Sequence, residues 1–391
     1  VVANAPAGQR GDVMSVAATA APAFDPRRLD LEGFAAELKA LRREVAAEAG
    51  EADLEHLKKI ERWGHAASLL GAATAGIAPN PISALLLALG RSTRWLLMHH
   101  VGHKAYDKIP GVPPRLTSKH FARGNRRFLD WPDWMRADAW CHEHNVLHHG
   151  FTGEDRDPDL IERNAEWLRG VDLPRPVKLA VVGLLGASWR PVYYAPRTLR
   201  VFLDRDRPEG SDGTSGHDFE LWTQCYLPYA TLHFALFPLA YLPFGGPWAS
   251  FSAFWNSVFA EILCNLHTFA VVGPNHTGED LHRFGDRPRS RAEGLLRQVL
   301  GSVNYACGDD ATDWAHLFLN YQIEHHLWPD LTMLQYQRVQ PRVRALCEKY
   351  GIPYVQESVL ERVRKMVAVA IGDATMKRSS SADLSPEAVM R

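Results

Sequence analysis

Leu221–Ala260 reads LWTQCYLPYATLHFALFPLAYLPFGGPWASFSAFWNSVFA, a run of residues without a single Asp, Glu, Lys or Arg. A bilayer core takes roughly 20 apolar residues per helical span. The run is broken at its middle by Pro243-Phe244-Gly245-Gly246-Pro247, and proline and paired glycine interrupt helices. It therefore predicts two antiparallel spans joined by a tight turn; the competing reading is a buried helical hairpin of a soluble protein. Trp222, Tyr226, Tyr229, Tyr241 and Trp248 lie near the proposed span ends, where amphipathic rings anchor at a membrane–water boundary.

Toward the N-terminus, Ala66–Gly90 is a second uncharged stretch, interrupted by Pro79-Asn80-Pro81. A second hairpin is favoured over one long span, because it returns the chain to its starting side. Both tips lack Lys and Arg, whereas Lys58, Lys59, Arg62, Arg91, Arg94, Lys104, Arg283 and Arg287 flank the other ends. Excess basic charge marks the cytoplasmic side, so the tips point outward. The expected architecture is all-α and multi-pass, with two transmembrane hairpins of about four spans capped by a cytoplasmic helical region. Its parts are a disordered extension (1–24), an N-terminal helical region (25–63) and the first hairpin (64–98). A cytoplasmic region (99–220), the second hairpin (221–274), a further cytoplasmic region (275–372) and a disordered tail (373–391) follow. Within 99–220, Lys178–Phe202 is apolar in patches but carries Arg190, Arg197 and Arg200, which suits an interfacial segment.

Composition excludes several classes. The 44 Lys+Arg against 45 Asp+Glu give no basic surplus for nucleic acid. Cys141, Cys225, Cys264, Cys307 and Cys347 are scattered without a CxxC pair, which argues against a disulfide framework or a cysteine-rich zinc module. The N-terminus has no apolar core of a secretory signal.

The anomaly is histidine, with 18 residues, many of them bunched. His99-His100-Val101-Gly102-His103 closes the first apolar region, and residues four apart share a helix face. In His142-Glu143-His144-Asn145-Val146-Leu147-His148-His149 the pair His144 and His148 repeats that step, and His149 points in an adjacent direction suited to a second ion. Gln322-Ile323-Glu324-His325-His326 forms a third cluster. All three fall on the predicted cytoplasmic side. One such pair arises easily by chance; three in one chain do not. Imidazole suits Fe, Zn, Cu and Ni alike, but so many imidazoles exceed what one ion takes. An all-imidazole two-metal site without cysteine suits iron working with O2.

The boxes His99-x-x-x-His103, His144-x-x-x-His148-His149 and Gln322-x-x-His325-His326 resemble, in order and spacing, those of membrane fatty acid desaturases. The third, running on to Leu327-Trp328-Pro329, is similar to the variant in which Gln replaces the first histidine, found in front-end desaturases and bacterial relatives. Arg297-Gln298-Val299-Leu300-Gly301-Ser302-Val303-Asn304 resembles the segment preceding it, and the likeness covers roughly 91–354. The resemblance implies two non-haem irons, with O2 as co-substrate and an acyl lipid or acyl thioester as substrate. It also implies an outlying histidine ligand after the second hairpin, matched here by His276, with His267 in reserve as a residue supporting the ligands. His100 stands where the family usually has Asp, and Asp157 and Asp159 are candidates to orient a ligating ring. No flavin, dinucleotide or cytochrome b5-like segment is present, so an external donor (ferredoxin or cytochrome b5-type, with its reductase) is implied. Trp95, Trp140, Trp255 and Trp314 are candidate walls of an acyl tunnel.

The same scaffold supports hydroxylation, acetylenation, oxidative decarboxylation and sphingolipid desaturation. From other classes come a membrane zinc hydrolase and a non-catalytic metal store or sensor.

Overall fold

In this computed structural model residues 24–206 and 216–384 are described, and they are predominantly helical. Apart from Phe24, the extension expected over 1–24 lies outside them. An amphipathic helix α1 (Leu31–Ala47), capped by the Asp30 carboxylate, buries Phe34, Leu38, Leu41 and Val45. It leads into α2 (Glu51–Ala75) and α3 (Pro81–Gly102), the two arms of the first hairpin. Pro81 takes the first helical position of α3 and the Asn80 side chain accepts from Ser83 N, a proline-led and asparagine-capped start. The arms approach closely because Gly71 lies against the Leu87 backbone and Gly90 against Ser68, where a Cβ would collide.

Next come α4 (Ala137–His142), continued by a π-helical turn Glu143–His148, and then α5 (Arg175–Trp189) and α6 (Ala195–Asp204), joined by a second π-turn, Arg190–Tyr194. A helical rod of alternating α and π turns occupies 218–239. It reverses into α7 (Leu242–Val272), where Gly245 and Gly246 are non-helical and Gly246 has φ 63°. The break thus falls where the sequence placed it.

The α7 helix is inside-out relative to a water-soluble helix. Its buried face carries Ser252, Asn256, Ser257, Glu261 and Asn265 with small residues, while Trp248, Phe251, Phe259 and Leu266 face outward. Asn256 ties α7 to the tip of the first hairpin: its amide donates to the Ala75 and Ala78 carbonyls, and its oxygen accepts from Asn80 N, each at 2.8 Å. One helical stretch among the described residues, Leu242–His276, is long and apolar enough to cross a membrane by length and composition. The uncharged arms of the first hairpin fall short of that length, because charges begin at Arg62 on α2 and at Arg91 on α3.

A buried ion network clamps the hairpins together. The Arg190 guanidinium donates to Asp133 at 2.6 Å and Glu261 at 2.8 Å, and Arg91 reaches the other Glu261 oxygen at 3.3 Å. Trp134, Tyr229 and Asn265 complete the Glu261 carboxylate. Arg190, expected at an interface, is fully buried here, because it supplies the charge that Asp133 and Glu261 need.

The C-terminal region contributes α8 (Arg291–Leu300), α9 (Gln322–Leu327), α10 (Met333–Lys349) and α11 (Val359–Ile371). The tail expected to be disordered from 373 is ordered as far as Leu384. Strand β2 (Lys377–Ser379) pairs in parallel with β1 (His282–Phe284), and buried Ser381 donates to the Glu293 carboxylate and accepts from Arg297. These pairings are distant in sequence, so the polar composition of the tail gave no sign of them.

Candidate metal centre

Four elements bring the histidines together. α3 ends in the cluster, so His99 lies on its last turn and His103 caps it. The π-turn at Glu143–His148 widens the helix there. The His144 ring consequently stands 5.1 Å from His148 and 4.9 Å from His149, centre to centre. A 3-10 turn, Gly273–His276, delivers His276 just past α7, and α9 carries Gln322, His325 and His326.

Their nitrogens form two groups. His99, His103, His144 and His325 make the first, with ligand atoms within 4.8 Å of one another; His148, His276 and His326 make the second. His149 stands between them, within the same distance of His325 and His326. The closest approach, His99 Nε2 to His144 Nε2 at 3.1 Å, resembles the separation of two nitrogens sharing one ion at bond lengths of about 2.1 Å.

The surroundings set the ring orientations in four cases. His148 Nδ1 donates to Asp157 at 2.8 Å, and His276 Nδ1 to the Gly301 carbonyl at 2.9 Å. His326 Nδ1 donates to Gln298 Oε1 at 3.0 Å. The Tyr336 hydroxyl donates to the Trp328 carbonyl, so its oxygen accepts from His325 Nδ1 at 3.1 Å. In each ring the hydrogen bond fixes a proton on Nδ1 and turns Nε2 inward, the arrangement in which outer partners orient metal-binding imidazoles.

Six of the eight rings keep a buried nitrogen with no hydrogen-bond partner among the described residues: His99 and His144 at Nδ1, and His103, His149, His325 and His326 at Nε2. Each such group costs about 1–3 kcal/mol. Six together rival the whole stability of a typical domain, roughly 5–15 kcal/mol. At His103, His149, His325 and His326 the bare atom is Nε2, where a bound cation removes that cost, and the donor set fits a pair of imidazole-binding metals. Burial, reinforced by neighbouring imidazoles, pushes His99, His103, His144, His149, His325 and His326 well below the usual histidine range and His276 down to about 3. These rings are held neutral, the form that ligates. His148 differs: burial opposes its charge, but Asp157 and Asp159 outweigh it and hold the ring up at about 9.

The remaining sequence candidates divide. Asp157 holds His148, and Asp159 lies 3.7 Å from the same ring. The Gln322 amide donates to His276 Nε2 at 2.9 Å. His100 turns away toward Phe318 and Tyr336 and joins neither group. His267 also stands apart, bonded to Ser92 Oγ at 3.1 Å and the Ala315 carbonyl at 2.7 Å. Sequence reasoning passed over Tyr336 and the roles of Gln298 and the Gly301 carbonyl. It also missed Glu143, a fully buried carboxylate with no hydrogen-bond partner among the described residues, near Arg197 at 3.8 Å.

Beside the histidines runs a cavity of about 250 Å³. His144, His148, His276 and Gln322 line its polar end; α5, α7 and α11 supply apolar walls such as Val182, Phe269 and Met366. Of the four tryptophans considered, Trp95 lines it. Trp140 stacks on His144 instead, Trp255 lies on the outer face of α7, and Trp314 packs on Trp63.

The family profile described as Fatty acid desaturase matches residues 76–358, a stretch containing all eight clustered histidines. The NADPH-dependent stearoyl-CoA 9-desaturase of Mycobacterium tuberculosis is 24% identical over 379 residues, covering 92% of this chain and 84% of that protein. Fatty acid desaturase 3 of Bos taurus is 25% identical over 301 residues, 71% of this chain and 58% of that protein. Delta(5) fatty acid desaturase A of Dictyostelium discoideum is 23% identical over 282 residues, 66% and 55% respectively.

Proposed function

The chain belongs to the fatty acid desaturase family and is an oxidoreductase, and from that premise we propose that it places a double bond in the acyl chain of a lipid or acyl thioester at a non-haem di-iron site. The observation that carries this reading is the pairing of two inward-facing imidazole groups with an apolar cavity that meets them. His99, His103, His144 and His325 would hold one iron; His148, His276 and His326 the other, with His149 between them. Bound there, the irons would couple reduction of O2 by two external electrons to removal of two hydrogens from neighbouring methylenes, both oxygens leaving as water.

The chain's own part is positional. Asp157, Gly301, Gln298 and Tyr336 keep lone pairs aimed inward. The cavity walls fix which methylenes lie beside the cluster, since a small misplacement costs orders of magnitude in rate. Tight burial excludes water from the reacting carbons. Gln322 caps the His276 lone pair, so it must turn aside when that nitrogen ligates.

The inside-out pattern of α7 and the apolar outer faces of the hairpins support a multi-pass membrane protein of about four spans with the cluster on the cytoplasmic face. Arg91 does not bar α3 from spanning, because its charge is met inside the protein by Glu261. Electrons then come from a ferredoxin or cytochrome b5-type carrier with its reductase.

Expression in a host of simple lipid composition, followed by mass spectrometry of its acyl chains, tests the reading. New unsaturation is expected, and its loss in His148→Ala and His325→Ala. An unchanged acyl profile from iron-loaded, reductant-supplied protein contradicts it.

A further inference from the structure

The cavity has an opening, and the surface around that opening is apolar. Trp167 and Val192 line the cavity while remaining 62% and 63% exposed, so they form its rim. Between them runs α5, which turns Val181, Val182 and Leu185 to the cavity and Val177 and Leu184 outward. From Leu179 to Trp189 this helix carries no charged residue, and Val171 and Leu173 extend the exposed apolar surface ahead of it. A contiguous patch of this kind marks a membrane or partner surface rather than a water-facing one.

Charge around the cavity adds an independent observation. Its lining includes no Lys or Arg among the described residues. Cations around it bond other groups: Arg169 donates to the Val369 and Ala374 carbonyls, Lys178 to those of Arg169 and Ile371, and Arg197 to the Tyr193 hydroxyl. Arg163 donates to the Asp157 carbonyl and Arg175 pairs with Asp373. A nucleotide-bearing thioester brings several phosphate charges that call for cationic partners at the entrance. A phospholipid does not, because its headgroup stays at the bilayer surface while only the hydrocarbon enters.

We propose that the acyl chain reaches the histidine cluster from within the bilayer, still part of an intact membrane lipid, through a lateral opening between α5 and the short helix Glu166–Gly170. The inference rests on the desaturase reading above and specifies the substrate of that site. α5 then lies in the membrane boundary, with Val177 and Leu184 against lipid and Trp167 at the gate. The acyl chain slides past Val181 and Leu185 until its reacting carbons stand beside His144 and His148.

The test uses iron-loaded, full-length protein reconstituted in dioleoyl phosphatidylcholine vesicles with O2, ferredoxin and ferredoxin reductase. One arm supplies deuterium-labelled distearoyl phosphatidylglycerol in the bilayer; the other supplies the same labelled chain as stearoyl-CoA. Mass spectrometry is expected to show the lipid-borne chain desaturated at least about tenfold faster. The double variant Leu184→Arg, Val192→Arg should lower that rate about tenfold further at unchanged iron content. If the double variant loses iron, Val177→Arg, on the outer face of α5, carries the same expectation alone. Faster turnover of stearoyl-CoA, with the phospholipid untouched, overturns the lateral route and leaves the desaturase reading standing. Failure of the iron-loaded protein to desaturate either substrate overturns the desaturase reading, and the route with it.

Discussion

Two of the buried polar clusters in this molecule are built on opposite principles. Around Arg190, each charge meets its counterpart: Asp133 and Glu261 take the guanidinium, Arg91 balances Glu261, and Trp134 and Asn265 fill remaining positions. Around the histidines, partners hold the outer edge of several rings while Nε2 of His103, His149, His325 and His326 is left bare. The satisfied cluster is a clamp and needs nothing further. The unsatisfied one is organised for an occupant, since low dielectric makes each bare polar group costly.

If that contrast is sound, removing one group from each cluster should give different failures. The largest effect is expected at His103, whose Nε2 has no partner among the described residues. His103→Ala should lower desaturation about 1,000-fold, in line with several kcal/mol of metal-supplied stabilisation. Elemental analysis should show metal lost from a chain that still folds. Glu261→Ala should do the reverse. It leaves Arg190 with Asp133 alone and Arg91 without a carboxylate and costs about 3–5 kcal/mol of stability, read as a lowered Tm in detergent, while the remaining folded protein keeps its metal. Unfolding of His103→Ala, or metal loss from folded Glu261→Ala, would erase the distinction.

Smaller effects should follow where the outer partners of the rings are touched. Asp157→Asn and Tyr336→Phe leave all eight imidazoles in place but loosen His148 and His325. Metal affinity is expected to fall about 10–100-fold in each, measured by competition with a chelator. His100→Ala, one residue from a candidate ligand, should leave affinity nearly unchanged.

An effect seen only with pH belongs to His282, in β1 and outside both clusters. Burial, with Lys377 adding to it, pushes this ring down to about 4. The unfolded chain therefore binds the proton first as pH falls below the ordinary histidine value near 6.5. Stability should be full above that value, decline as pH drops toward about 4, and level off below. In His282→Gln, urea titrations across this window should show a shallower decline.

How much of this was legible in the sequence depends on distance along the chain. The hairpin turns were, because Pro79–Pro81 and Gly245–Pro247 are local signals that act where they stand. The histidine clusters were legible for the same reason. Their outer partners were not: Tyr336 and Gln298 act on rings 11 and 28 residues away, and only the packing of α8, α9 and α10 brings them there. His100 and His267 were weighed for the site on the family resemblance, and the structure sets both apart from the two groups. A one-residue step turns about 100° around a helix, enough to send His100 to Phe318. His267 follows the same logic on α7, where its face meets Ser92. The tail after 373 misled through composition, since its order comes from β1 and Arg297, about 80–100 residues earlier.

Two irons are proposed to lie among the inward nitrogens of these histidines. Metal analysis of the purified full-length chain, with O2 uptake followed in the presence of reductant and acyl substrate, tests this proposal most directly. About two irons per chain and O2 consumed in step with new double bonds are expected. One zinc per chain and no O2 uptake would contradict the proposal.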